Sequence, residues 1–468
     1  MPDPLREITS SLRQLRESAQ AYQGPVTMSG VLDAVGRLEA LDQQAVALYG
    51  KPIEFILGSL HAFSEQAPRY GAAGVLYPVL QGVLDSAMRP VPALLVLVPA
   101  HAVREPFDAL PGYWQPFEEI GGGGVPYEWS STAPRMVPRD QAHPLRGIPI
   151  PCPVHFPSAR QDDPFLWAAA FHEIGHHLYD SFSTFTSVGE NQAIVDLKAD
   201  SQRLSTVLQA AACCPNEKDL VALMDRHMAE LFSDLFAAKV LGVAYLPVLA
   251  RYVEDDRRGS VHRALRLRVV RRALGDEVQH FAGVIGERAG REGVEPREVL
   301  EEPAGVGLKA TWLPWEKYAD RAAAFVNDLA RDRVKDGHWP RMRADLAETN
   351  ELVDLLLNYV APAGAVALAE PDESDGPAPL VTNVTLGPAR IGSILAAGYL
   401  VRWCPALWKR FRAPWRARRE EDASADCLAS AERAQRDAQS ALYRLVLKGL
   451  DISRIEDAVN GTDRVRAG

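Results

Sequence analysis

The sequence predicts a mainly helical α+β protein carrying a small sheet. Three observations support that class. Apolar residues recur at spacings of three and four along most of the chain; a short continuous apolar run bounded by prolines breaks that rhythm near residue 91; prolines alternate with apolar residues near residue 150.

Composition bounds the rest. A chain of 468 residues, 47% hydrophobic and 24% charged, is long enough for two to four domains with cores of their own. Its 34 Gly and 34 Pro are dispersed, which excludes collagen-like and low-complexity classes, and five Cys are too few for a disulfide scaffold. Those cysteines show no C-x-x-C pair, so free thiols in a reducing cytoplasm are expected. The first residues carry charge from position 3 and lack a secretory leader's apolar stretch. The longest apolar runs, Ile53 to Leu60 and Val91 to Ala100, are shorter than a membrane span, so no membrane is expected. A net charge of −10 disfavours nonspecific nucleic-acid binding. Abundant Ala and an excess of Arg over Lys are a compositional hint of a GC-rich bacterial gene.

Taken in order, residues 5 to 66 read as two or three amphipathic helices (Leu12, Leu15; Val31, Leu32, Val35, Leu38) broken at Gly24-Pro25 and Gly50-Lys51-Pro52. Val91 to Val98 is a candidate buried strand. Residues 105 to 160 are rich in loops, with Gly121 to Gly124 read as a turn or flap. They lead into Ile148 to Phe156, whose alternate prolines predict an edge strand or extended loop. Asp163 is a suitable N-cap and Pro164 suits the first helical position. A second helix is expected from Pro215-Asn216 to Gly242, then helical pattern over 261–278, 315–332 and 342–359. Small and acidic residues with four prolines mark 361–379 as linker. A strand at 381–386 and two helices are expected to close the chain. The expected organisation is a helical region at 1–88, a catalytic region at 89–255, a helical extension at 256–361, a linker at 362–380 and a mostly helical region at 381–468.

Within the Asp163 helix stands His172-Glu173-Ile174-Gly175-His176, the H-E-x-x-H pattern. Two His at i and i+4 project from one helix face and can both present imidazole nitrogens to one Zn²⁺, with the intervening Glu placed as general base. Trp167, Phe171, Ile174 and Leu178 form an apolar stripe, and both His lie about 200° from Ile174, so one side anchors the helix while the other offers the metal pair. A catalytic zinc needs a third protein ligand. Glu230 is the strongest candidate, because it and Asp234 share one face of the next helix while Leu220, Met224, Met228, Leu231 and Leu235 form its apolar stripe. His227, Asp196, Asp200 and Glu190 are the alternatives.

H-E-x-x-H followed by Glu230-x-x-x-Asp234 resembles the gluzincin branch of the zincin metallopeptidases, of which thermolysin is a member. The resemblance covers two helices. It implies a zincin core, Zn²⁺ held by His172, His176 and Glu230, Glu173 as base, and Asp234 as the carboxylate that orients His172. Glu230 to Leu241 also resembles the downstream helix of bacterial intracellular metalloproteases that cleave regulatory repressors. Glu230 lies 54 residues after His176, a longer gap than compact gluzincins show, and the metzincin extension is absent, Tyr179 and Phe182 standing at its Gly and His positions. His227 is named as the oxyanion donor, with His262, Tyr245 and Tyr252 as rivals. By analogy, Val154 to Phe156 would pair with an extended substrate.

Arg263, Arg266, Arg268, Arg271 and Arg272 read as a solvated helix face, and the basic aromatic stretch 402–419 as a surface between domains or toward a protein partner rather than nucleic acid. The expected function is intracellular, regulatory, zinc-dependent hydrolysis of peptide or protein substrates. The alternatives are a zincin-fold binding or sensor protein, and a zinc amidohydrolase acting on a non-peptide substrate.

Overall fold

The computed structural model describes residues 4–22, 28–66, 76–89, 91–100, 108–109, 127–129, 136–138, 143–157, 163–186, 217–252, 263–289, 319–320, 322–324, 326–327, 342–362, 389–421 and 427–466. The protein is mostly helical with a small parallel sheet. By contacts it forms two compact units. Unit 1 comprises 1–240, 245–274 and 302–340, and unit 2 comprises 241–244, 275–301 and 341–468.

Unit 1 begins with α1 (Pro4–Ala21), α2 (Ser29–Glu39), α3 (Gln43–Leu48), α4 (Gly50–Gln66) and α5 (Tyr77–Met88). Each buries the stripe its periodicity predicts: Leu12, Leu15 and Ala19 on α1, Val31, Ala34, Val35 and Leu38 on α2, and Ile53, Ile56, Leu57, Leu60 and Phe63 on α4. Asp42 caps α3 by accepting from the Ala45 amide.

The strands follow as β1 (Ala93–Ala100), β2 (Asp108–Ala109), β3 (Tyr127–Trp129), β4 (Met136–Pro138) and β5 (Ile150–Pro157). β3 and β4 form an antiparallel pair of their own, while the other sheet has the order β1-β5-β2. β1 and β5 run parallel from Ala93↔Ile150 to Ala100↔Pro157. The proline-rich strand therefore has a neighbour on both sides, against the edge position its prolines predict. Strand alternation explains how. Ile150 donates its amide to Pro92 O on the β1 side, so amides of the same parity face β1 and the nitrogens of Pro151 and Pro153 face away. On that far side β2 reaches only Val154 and His155, past both prolines. The outer edge of β1 is closed by α5: Gln81 donates to Ala93 O and accepts from the Leu95 amide, both at 2.8 Å, and Tyr77 donates to Leu95 O.

The Asp163 cap forms as expected, its carboxylate accepting from the Phe165 and Leu166 amides. The helix it starts is interrupted: α6 (Pro164–Trp167) passes through a turn at 168–169 into α7 (Ala170–Thr186). Around the turn the amides of Ala168, Ala169, Phe171 and His172 bond three residues back, which tightens the chain before the two His. α8 (Glu217–Leu241), a 3₁₀ turn (Gly242–Ala244), α9 (Tyr245–Tyr252) and α10 (Arg263–Leu274) follow. Met228–Arg251 is apolar and long enough to cross a membrane, but 94% of its most apolar window is buried, as in a core helix.

Unit 2 is built from α11 (Asp276–Ala289), α12 (Leu346–Leu357), α13 (Ile391–Trp403), α14 (Pro405–Glu421) and α15 (Cys427–Arg466). The helical pattern expected over 261–278 breaks at Gly275, whose φ of 56° ends α10. Three helices, not two, close the chain among the described residues. α13 is buried from Ile391 to Val401 and packs on α12, α14 and α15. The Arg402 guanidinium stacks on Trp408, 4.7 Å from its ring centroid, and Phe411 is buried, while Lys409 and Arg410 are exposed. Within the described part of this stretch Trp408 and Phe411 turn into the unit, with Arg402 stacked on Trp408, while Lys409 and Arg410 face outward. The expected strand at 381–386 and the Gly121 to Gly124 turn lie outside the described residues.

Candidate metal centre

Two helices of unit 1 carry the site, and a glycine sets their spacing. Gly175 crosses α8 so closely that a Cβ there would stand 2.6 Å from the Ser233 Cα. Around this crossing α6 and α7 are held by the predicted stripe, with Trp167 of α6 and Phe171, Ile174 and Leu178 of α7 at most 1% exposed. The opposite face of α7 carries His172 and His176 toward α8, where Glu230 stands one turn before Asp234.

The ligating atoms of His172, His176 and Glu230 all lie within 4.8 Å of one another. His172 Nε2 is 3.0 Å from His176 Nε2 and 3.2 Å from Glu230 Oε2, and His176 Nε2 is 3.5 Å from Glu230 Oε1. Donors about 2.0–2.2 Å from a tetrahedral zinc stand about 3.3 Å apart, so these spacings fit one face of such a site. Glu230 Oε2 is also a buried oxygen on which no hydrogen-bond donor is aligned. A cation at the centre of the triangle would be a second charge partner for it, beside Arg266 Nη1 at 2.9 Å.

The other ring nitrogen of His172 is occupied. Nδ1 stands 3.0 Å from Asp234 Oδ1, which orients the ring so that Nε2 faces His176 and Glu230. Asp234 is fully buried and held by two further donors: Tyr245 OH at 2.7 Å, and the Arg266 fork through Nε at 2.6 Å and Nη2 at 2.8 Å. Tyr245 thus lies on the Nδ1 side of His172, its OH 2.7 Å from Asp234 Oδ1 and 3.3 Å from His172 Nδ1. Glu173, 5% exposed, lies beside His172 on α7.

Charge and burial set the protonation of the cluster. Burial acts against a charged His172, but Asp234 and Glu230 against its ring raise its pKa to about 10. Burial pushes His176 down to about 3, with the charges of His172 and Arg266 adding to the effect and Glu230 opposing it. Burial would raise Asp234 and Glu230, yet Arg266 and the neighbouring His hold both below the usual carboxylate range. Burial, with Asp234 alongside, keeps the Tyr245 phenol protonated. His177 is fully buried beside the centre, its Nε2 3.0 Å from Pro153 O, and so ties α7 to β5.

Arg266 is the residue the sequence misplaces. It is 3% exposed, in place of a solvated position with Arg263, Arg268, Arg271 and Arg272, and its Nη1 forms a 2.9 Å ion pair with Glu230 Oε2. A signal was present: Arg266 lies three and four residues before Val269 and Val270, on the buried side of α10. Val154 and His155, expected to pair with substrate, are paired by β2. His227 belongs to α8, with its side chain outside the described residues, as is that of Tyr252; Glu190, Asp196, Asp200 and His262 are outside them entirely. No known protein family, no curated protein and no solved structure matches this chain.

Proposed function

We propose that the chain is an intracellular, regulatory zinc-dependent peptidase with a zincin-like core formed by α7 and α8. The observation that carries this reading is the triangle of His172 Nε2, His176 Nε2 and Glu230, with edges of 3.0 to 3.5 Å, set beside a buried Glu173. His172, His176 and Glu230 would hold the metal, which when bound supplies Lewis acidity and a readily deprotonated water. Glu173 would act as general base, accepting a proton from the attacking water and passing it to the leaving amine. Asp234 keeps His172 in one orientation, and His227, three residues before Glu230 in the sequence, would be the donor to the developing oxyanion.

Elemental analysis of untagged protein tests the ligands. About one zinc per chain is expected in the wild type and a large loss in Glu230→Ala; zinc retained by that variant would move the third ligand elsewhere. Glu173→Gln should keep its zinc and lose peptide cleavage, and His227→Ala should keep its zinc with a lower kcat. One observation favours a binding or sensor protein as the second reading: Arg266 places a fixed cation on Glu230. In that case Glu173→Gln changes no measurable property.

A further inference from the structure

Arg266 carries more than a support role. Its guanidinium spans both carboxylates of one turn of α8, forking on Asp234 while Nη1 stands 2.9 Å from Glu230 Oε2 and Nη2 3.4 Å from His172 Nε2. The contact to Asp234 is aligned hydrogen bonding, whereas the contact to Oε2 is a charge contact without an aligned donor. A cation is thus fixed against the same oxygen and the same imidazole nitrogen that face the centre of the ligand triangle. Like charges this close, in a site where Arg266 and Asp234 are at most 3% exposed, repel strongly because little water screens them.

We propose that Arg266 is a built-in competitor of the metal: it neutralises Glu230 and Asp234, keeps the two helices assembled before loading, and limits affinity so that the site gains and releases zinc with the supply of free metal. This rests on the reading of His172, His176 and Glu230 as ligands. The opposite role, support of a ligand through hydrogen bonding, predicts the opposite sign, since loss of such a partner weakens metal binding by roughly 10- to 100-fold. The signs can be separated because Asp234 keeps two other partners, Tyr245 OH at 2.7 Å and His172 Nδ1 at 3.0 Å, when the guanidinium is removed.

The experiment is zinc affinity by chelator competition on wild type, Arg266→Gln and Arg266→Lys, with thermal midpoints of each protein with and without zinc. Arg266→Gln should bind zinc at least about tenfold more tightly than wild type. Its midpoint should drop without zinc and recover most of the loss with it, while Arg266→Lys, which keeps the charge, stays within about threefold of wild-type affinity. If Arg266→Gln does not fold, Arg266→Met, of similar bulk and no charge, is prepared with zinc present and its release rate to chelator compared with wild type; slower release is expected. Equal or weaker zinc binding by the neutral variants overturns the competitor role and leaves the ligand set intact. A wild type that takes up no zinc overturns the ligand set itself, and this inference with it.

Discussion

His172 is engaged through both ring nitrogens, Nδ1 with Asp234 and Nε2 toward His176 and Glu230, so the carboxylate behind the ring governs what the front can bind. Asp234→Asn leaves Tyr245 and Arg266 donating toward an amide. Zinc affinity, measured against a chelator, is expected to weaken by roughly 10- to 100-fold. His177 gives the pH prediction. Burial lowers its pKa from 6.5 to about 4, with Pro153 O opposing, so below pH 6.5 the unfolded chain takes up a proton that the folded chain refuses. This group makes no difference above pH 6.5; as pH falls from 6.5 to about 4, stability is lost at up to about 1.4 kcal/mol per pH unit. Urea midpoints of wild type and His177→Gln at pH 7, 6 and 5 check this: the wild type should show the steeper fall on acidification. Parallel curves would remove His177 as the cause.

At the scale of elements, the crossing of α7 and α8 depends on one missing methyl group. Gly175→Ala forces its Cβ toward backbone at 2.6 Å, which α8 relieves only by moving away, and should cost about 1–3 kcal/mol in stability and reduce zinc content. The matched control is Gly283→Ala on α11, where a Cβ meets nothing within 4 Å and roughly 0.5–1 kcal/mol of stabilisation is expected. Thermal melts of the two variants should move in opposite directions. If both rise, the close approach at Gly175 is refuted. The motif was legible here in full, since H-E-x-x-H and its apolar stripe are local. The glycine inside it fits either alignment of a helix neighbour until Ser233 is placed opposite. β5 teaches the same lesson: its prolines predict that one side is poor in donors, and only the pairing with β2 at Val154 and His155 places that side inside the sheet.

For the whole molecule, the two units are interleaved along the chain. α8 and α9 flank the short turn that unit 2 takes at 241–244, and α12 and α13, on either side of residues 363–388, belong to one unit. α13 packs on α12, whose Leu352, Val353 and Leu356 are each 0% exposed, and Gly392 donates its amide to Met342 O at 2.7 Å. A chain ending at residue 362 should therefore lose more than its own missing helices: unit 2 would expose that apolar face, visible as dye binding and self-association in gel filtration. A monomeric truncated chain without dye binding would show that α12 does not depend on α13.

The sequence by itself determined where most helices lie, which face of each is apolar, and that two His and a Glu share one helical turn. These follow from spacings of three and four residues, which repeat within a helix irrespective of its neighbours. It also drew Glu230 and Asp234 as a pair, because they too are one turn apart. Tertiary structure decided what crosses long separations: that Glu230 reaches His172 and His176, that Asp234 binds the ring nitrogen behind His172, and that Arg266, in a helix whose other arginines are half-buried or exposed, is the one buried against both carboxylates. The physical reason is that periodicity records which side of a helix is buried. What a buried charge meets is set by the packing of helices far apart in the chain.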